Sequence, residues 1–536
     1  MTTVRAYLHD HPWAIDAALI ALVTAVAAAL RLTLLGDIPY GIHPDEAQLG
    51  TDAHKIMSGH LVGIYTHAAL GQPAGHSYLT LPSIWLLGDT AFALRLPLAL
   101  VGLAAIPLLY LLVRVAFART EAFFASALLA ISYWHLLYSR VAHWSISYGT
   151  VLLAALLCLV LGMRSRRRAW FAASGAILGL GMYTYNIYPI AAAAFALAVT
   201  IITFTRYRGE PWRWWRGSML VLFGVALVVA LPMIVYIARP YSYYWSHVRN
   251  YSDVSVTQSR EFKDAGVGGK ARLIGEQIGA FGNAYAGTGE PDLVDASGVR
   301  AMFDWPTLAL LAAGLIMALR RWRDPMIIVA LCCFFVIPLP ALLQQGSITR
   351  QPLGAAPYAM FFAALPLAAV WRAALQSREP WRIPAMAGIA AVVAMLAAIT
   401  VRDYFWTWRR TELVRYVYHA EITSASEYMR TLPSGDQIYF YSNRHPFRLE
   451  TRQFLAPGAR GIDRSSEFST SGGSIRVTDR TRPVVFVLLG NYLTLLPELE
   501  RTYPDGHAHI GTHDGVTEFI AYELPALPAL PALPGG

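Results

Sequence analysis

Charge is scarce in this chain: 14% of its 536 residues are Asp, Glu, Lys or Arg, while 56% are hydrophobic. With a mean hydropathy of +0.42, that composition excludes an ordinary soluble protein, and the length excludes a single domain. Cysteine is scarcer still. Cys158, Cys332 and Cys333 all fall inside apolar stretches, so there is no disulfide framework and no zinc-ligand spacing. Asp, Glu and Lys are missing from the middle of every apolar stretch and no internal repeat stands out, which counts against a transporter or flippase.

What is present is a series of apolar runs of membrane-crossing length, roughly 17 to 25 residues. They cover Ala14 to Leu35, Ala91 to Val113, Ala122 to Tyr138, Ile146 to Met163, Ala169 to Tyr185, Pro189 to Thr205, Ser218 to Ala238, Pro306 to Leu319, Met326 to Leu343, Leu353 to Leu375 and Trp381 to Val401. The sequence thus predicts a mainly α polytopic membrane protein with about eleven transmembrane helices. The first run is longer than a usual signal core and has only Arg5 as a positive flank, so it reads as a retained anchor.

Arginines cluster in alternate loops: Arg114 and Arg119; Arg164 and Arg166 to Arg168; Arg206, Arg208, Arg213 and Arg216; Arg320, Arg321 and Arg323; Arg372, Arg378 and Arg382. By the positive-inside rule those loops are cytoplasmic. The N-terminus is then cytoplasmic, the C-terminus is extracytoplasmic, and the expected location is the cell (inner) membrane. The formal charge of +9 is accordingly a topology signal, and nucleic acid is not indicated as a partner.

Residues 1–401 read as the membrane domain and 402–536 as a small extracytoplasmic α/β domain. The latter opens on interfacial aromatics (Tyr404, Phe405, Trp406, Trp408), and Val417, Glu421, Ser424, Tyr428 and Leu432 share one face at helical spacing. Strand-like runs follow at Gln437 to Tyr441 and Pro483 to Leu489, and Asp514-Gly515 forms a two-residue hairpin turn between His507 to Gly511 and Val516 to Glu523. This region has no Gly-rich phosphate loop, nucleophile elbow or metal cluster, and it ends in a Pro-Ala-Leu repeat.

The outward first loop carries an acidic pair, Asp45 and Glu46, directly after His43-Pro44. Pro44 suits a first helical position, and the spacing predicts an amphipathic helix to Ser58 that rests on the membrane surface with its start over the bundle. Acidic residues in a first turn complement the helix dipole, and the same electrostatics suits a general base or a cation ligand. Spacing alone does not separate these roles.

His43-Pro44-Asp45-Glu46 resembles the acidic motif of the C-type membrane glycosyltransferases, in particular the protein O-mannosyltransferase and aminoarabinose lipid A transferase families. Arg95 with Pro97, Ser139-Arg140 and Gly179 to Tyr185 are further points of likeness. Gln48 and Gly71-Gln72-Pro73-Ala74 stand where the aminoarabinose transferases have an Arg and a Glu-Lys-Pro-Pro stretch. The resemblance implies that Asp45 is the catalytic base, with Glu46 positioning it or the acceptor.

Such an enzyme moves a sugar from a polyprenyl-phosphate donor to a protein, lipid or glycan acceptor, with inversion. The departing phosphate calls for a fixed guanidinium, for which Arg140, Arg350 and Arg239 are candidates. His143, His76, Tyr183 and Tyr185 are further candidates for binding substrate, and His67 is another loop histidine. Each has a plain alternative as an interfacial anchor or a surface residue. No nucleotide site is expected and no cofactor is assigned, a divalent cation stays open, and membrane lipids are the other partner. The competing classes are a carrier of lipid-linked sugars and a non-enzymatic sugar-binding scaffold.

Overall fold

The computed structural model describes residues 12–67, 71–207, 212–253, 255–289, 300–343, 348–377, 380–466, 475–477 and 479–527. The Pro-Ala-Leu repeat lies outside them from residue 528 onward, as do residues 344–347 of the loop before Arg350.

Hydrocarbon offers a backbone no hydrogen-bond partners, so each apolar run closes its own bonds as a helix. Eight described helices are long and apolar enough to cross: Trp13–Leu32, Ala91–Ala116, Ser145–Ser165, Tyr188–Arg206, Trp212–Ile237, Pro325–Leu342, Gln351–Gln376 and Arg382–Arg410. The pair Arg119–Ile131 and Tyr133–Ser139, bent by 57°, makes a ninth if it is one span. The predicted eleven is met in part, because the two remaining runs form shorter helices. They form Arg168–Leu180, of 13 residues, and Trp305–Leu319, of 15. At 1.5 Å per residue these are roughly 20 Å long, short of a ~30 Å hydrocarbon core. Arg168–Leu180 packs at backbone distance on Trp212–Ile237: a Cβ on Gly179 would lie 2.6 Å from the Ala226 carbonyl, and one on Gly175 would overlap that of Leu222.

Arg31, fully buried in the first span, serves the break in the bent span. Its guanidinium donates to the carbonyls of Ala130 (2.9 Å) and Leu129 (3.4 Å), which precede the bend at Ser132. The Leu129 carbonyl also accepts from the Ser132 N–H (3.4 Å), whereas that of Ala130 relies on the guanidinium, and a buried carbonyl left without a donor costs the fold.

Between the first two long spans the chain builds the helix Pro44–Met57, a short antiparallel pair (Tyr65–Thr66 with Gln72–Pro73) and the helix Gly75–Leu87. After Arg410 a five-stranded mixed sheet follows. Its spatial order is Gly461–Asp463, Gln437–Tyr441, Val484–Leu489, Val516–Leu524, His507–His513, with the first two pairings parallel and the last two antiparallel. Ile422, Ala425 and Met429 of Ala420–Thr431 cover one face of the sheet, and Leu499 covers the other. Asp514 and Gly515 have φ of 47° and 79°, as a two-residue primed turn demands.

The helix predicted to start near Val417 is instead two pieces, Glu412–Val417 and Ala420–Thr431, separated by His419 in the left-handed region (φ 52°). Val417 therefore leaves the shared face. The break presses the Tyr418 carbonyl against Gly41 (φ 96°), where a Cβ would overlap it.

Pro44–Met57 does not lie open on a membrane surface. Glu46, Ala47, Leu49, Gly50, Asp52 and Ala53 are buried, because the bundle covers one side and the C-terminal region the other. Phe454 occupies the space a Gly50 side chain would need.

Candidate active site at the start of the first-loop helix

Three carboxylates ride on the helix Pro44–Met57, and their surroundings differ sharply. His43 is the N-cap: its Nδ1 accepts from the Asp45 N–H at 3.1 Å, and Glu46 Oε1 accepts from the His43 N–H at 3.4 Å, completing a capping box. Glu46 is buried, and its Oε2 also accepts from Arg95 Nε (2.8 Å) and the Ala142 N–H (3.0 Å). Arg95, 0% exposed, donates in addition to the carbonyls of Pro39 (2.8 Å) and Gly41 (2.5 Å). Asp52 is equally engaged, accepting from Gln48 Nε2, Lys55 Nζ, Thr66 Oγ1 and Ser77 Oγ at 2.5–3.1 Å.

Asp45 is the exception. Its side chain is 28% exposed, and His43 Nδ1 stands 3.7 Å from its Oδ2. That nitrogen turns its lone pair to the Asp45 N–H, so a neutral His43 offers the carboxylate no hydrogen bond there. The Asp45 carboxylate thus stands uncommitted at a helix N-terminus, whose free N–H groups favour negative charge.

Around His143 gather the basic side chains of His43, His76 and Arg350, so that four places in the sequence meet. His143 is buried in the turn before Ser145–Ser165, its Nδ1 accepts from the Ser145 N–H (3.1 Å), and its ring stands edge-on to Trp144 and Tyr185. Burial above all, then the charges of Arg350, His43 and His76, holds His143 in the neutral form, well below the usual histidine range. Its Nε2 then carries the proton as a donor. His76 begins the helix Gly75–Leu87, with Nε2 2.5 Å from Ser147 Oγ. Burial pushes it down to about 3, and its Nδ1 is enclosed without a hydrogen-bond partner.

Arg350 is 3% exposed. The residues on either side of it are pinned: Trp134 Nε1 donates to the Thr349 carbonyl at 2.8 Å, Tyr138 meets the Thr349 hydroxyl at 2.7 Å, and the Tyr148 hydroxyl donates to the Gln351 carbonyl. A buried cation with two neutral histidines suits an anionic oxygen cluster, while the free carboxylate lies on the His43 side.

The remaining candidates fall elsewhere. Arg140 is fully buried and spends its guanidinium on the first span's end: Nε donates to the Tyr404 hydroxyl, Nη1 to the Leu30 and Arg31 carbonyls, and Nη2 to those of Leu34 and Ile38. With every nitrogen so engaged, Arg140 is a clamp on the chain instead of a substrate ligand. Tyr183 donates to the Val229 carbonyl at 3.0 Å, tying two helices, and so parts from Tyr185. Arg239 is exposed and lines a different cleft of about 400 Å³ with Tyr65, Tyr236 and Tyr243. His67 lies against the Tyr243 ring.

Among the described residues no three His, Cys, Asp or Glu side chains converge as a metal site. With Glu46 occupied by Arg95 and Ala142, the acidic pair does not offer two free carboxylates to a divalent cation. Sequence reasoning missed Arg31, the buried role of Asp52, and His419 and His445 of the C-terminal region. An Asp on the stripe next to an apolar one was the available sign for Asp52; the others leave no local signal.

Residues 71–236 match the family described as dolichyl-phosphate-mannose-protein mannosyltransferase. No curated protein matches the chain in sequence. Among solved structures, the chain is similar to ArnT from Cupriavidus metallidurans bound to undecaprenyl phosphate, with a TM-score of 0.58 and 15% identity over 94% of this chain and 97% of that one. The apo form gives 0.52 at 16% identity over the same shares. The oligosaccharyltransferase AglB from Archaeoglobus fulgidus, in complex with an inhibitory peptide and a dolichol-phosphate, gives 0.52 at 14% identity over 96% of this chain and 74% of that one. The resemblance read from the sequence is met by these structures at the level of the fold and by the family match over residues 71–236.

Proposed function

We propose that this chain is a membrane glycosyltransferase that takes a sugar from a polyprenyl-phosphate carrier and passes it to an extracytoplasmic acceptor. The observation that carries the proposal is the contrast among the three carboxylates of Pro44–Met57: Glu46 and Asp52 are saturated, and Asp45 alone is free, beside a basic lining.

In the reaction, the acceptor hydroxyl oxygen attacks the anomeric carbon, the bond from that carbon to the phosphate oxygen breaks, and the hydroxyl proton passes to Asp45. A single displacement of this kind inverts the anomeric centre. Arg350, with His143 and His76 as neutral donors, receives the negative charge on the leaving polyprenyl phosphate; in a buried setting such charge-assisted bonds are strong. Support for this donor comes from the ArnT and AglB structures, which hold undecaprenyl phosphate and dolichol-phosphate. The acceptor is a hydroxyl-bearing protein, lipid or glycan, and the sugar a hexose or pentose. The arginine-rich loops support a cell-membrane location with the site on the outer side.

Asp45→Asn tests the reading. The purified variant is expected to match wild type in abundance and melting temperature and to lose transfer from a polyprenyl-phosphate sugar, by about 10² to 10⁴-fold for a lost base. Wild-type turnover in Asp45→Asn removes the proposal.

A further inference from the structure

We infer that the C-terminal region belongs to the catalytic apparatus, with Thr423 and Thr451 as positioning residues that fix the peptide before the catalytic helix and thereby aim Asp45. The inference rests on the assignment of Asp45 as base.

Ile42 directly precedes the N-cap His43 and is completely buried. Both of its backbone polar groups are held by the C-terminal region: its N–H donates to Thr423 Oγ1 at 3.0 Å, and its carbonyl accepts from Thr451 Oγ1 at 3.0 Å. Thr423 and Thr451 are 2% and 0% exposed, so water does not stand in for either hydroxyl. One residue earlier, the Gly41 carbonyl accepts from Arg95 of the second long span at 2.5 Å, while the Tyr418 carbonyl closes over the place where a Cβ would be.

The tripeptide Gly41-Ile42-His43 is therefore gripped from the bundle on one side and from the C-terminal region on the other. The grip continues at His43, whose ring stands edge-on to His419 with centroids 5.6 Å apart. The His419 and His445 Nδ1 atoms are 3.4 Å apart, and His445 Nε2 donates to Glu421 at 2.7 Å, which fixes the His445 ring. Among the described residues none hydrogen-bonds the Asp45 carboxylate, so its aim depends on the backbone that carries it. A base misplaced by about 1 Å loses much of its rate, and the two threonines set that backbone.

The test uses the full-length chain with Thr423→Val and Thr451→Val, singly and together, beside Thr423→Ser and Thr451→Ser. The valine variants are expected to lose turnover roughly 10-fold or more with KM for the donor unchanged, because the basic lining lies in the bundle. The serine variants restore turnover. Deuterium uptake should rise in the peptide covering residues 41–46 of the valine variants and stay at the wild-type level elsewhere. Wild-type turnover with raised uptake at 41–46 overturns the positioning role, and so does a lowered melting temperature with uptake raised across the whole chain. Should Asp45→Asn keep its turnover, the base assignment falls by itself, and uptake at 41–46 still reports whether the threonines grip the peptide.

Discussion

Asp45 and Glu46 are chemically alike and adjacent, and their surroundings give them opposite work. Glu46 answers a buried guanidinium; its removal leaves Arg95, 0% exposed, without its ion-pair partner. Breaking such a pair from one side typically costs about 3–5 kcal/mol. Glu46→Gln is therefore expected to lower the melting temperature and the yield of folded protein, and to lose activity only with the fold, whereas Asp45→Asn loses activity alone. A stable, inactive Glu46→Gln would exchange the two roles. Arg140 belongs with Glu46: because its donors hold the carbonyls that end the first span, Arg140→Ala should reduce folded protein and impair donor and acceptor use equally, as steady-state kinetics in each substrate would show.

At the scale of the element, the broken helix around His419 joins the helix Pro44–Met57 to the C-terminal sheet. Burial, followed by the charges of His43, His445 and Arg444, pushes His419 down to about 2, while Glu421 beyond His445 is engaged with His445 and Arg444. Its native affinity for a proton is thus lower than in the unfolded chain. The stability tied to this histidine is fully present above about pH 6.5 and is lost as pH falls below that value. By pH 5 the loss amounts to about 2 kcal/mol for one group that stays neutral in the fold. Melting temperatures in detergent between pH 7.5 and 5 should fall with acidity, and His419→Gln should flatten the fall. An identical slope in that variant would move the effect to another histidine.

At the scale of the whole molecule, the arginine-rich loops and the helix Pro44–Met57 are expected on opposite sides of the membrane. Cys158, Cys332 and Cys333 are buried, so cysteines added at exposed sites report against a quiet background. Ser58→Cys, just after the helix Pro44–Met57, should react with an impermeant maleimide from outside the cell, and Ser165→Cys only after permeabilisation. Labelling of both from one side would refute the orientation and with it an extracytoplasmic acceptor.

The sequence by itself determined what is local. Apolar runs became helices because a backbone in hydrocarbon has no other partner, Pro44 and the acidic pair marked a helix start, and Asp514-Gly515 turned a hairpin. Each of those outcomes depends on neighbours a few positions away. Tertiary structure alone decided which carboxylate is free and which arginine is spent, since Glu46 meets Arg95 49 positions away and Ile42 meets Thr423 381 positions away. It also decided that two apolar runs form short helices of 13 and 15 residues and that the helix Pro44–Met57 is covered on both sides. A side chain's chemistry depends on whatever fills its hydrogen-bonding sites, and no periodicity along the chain records the identity of a partner that folding brings from so far away.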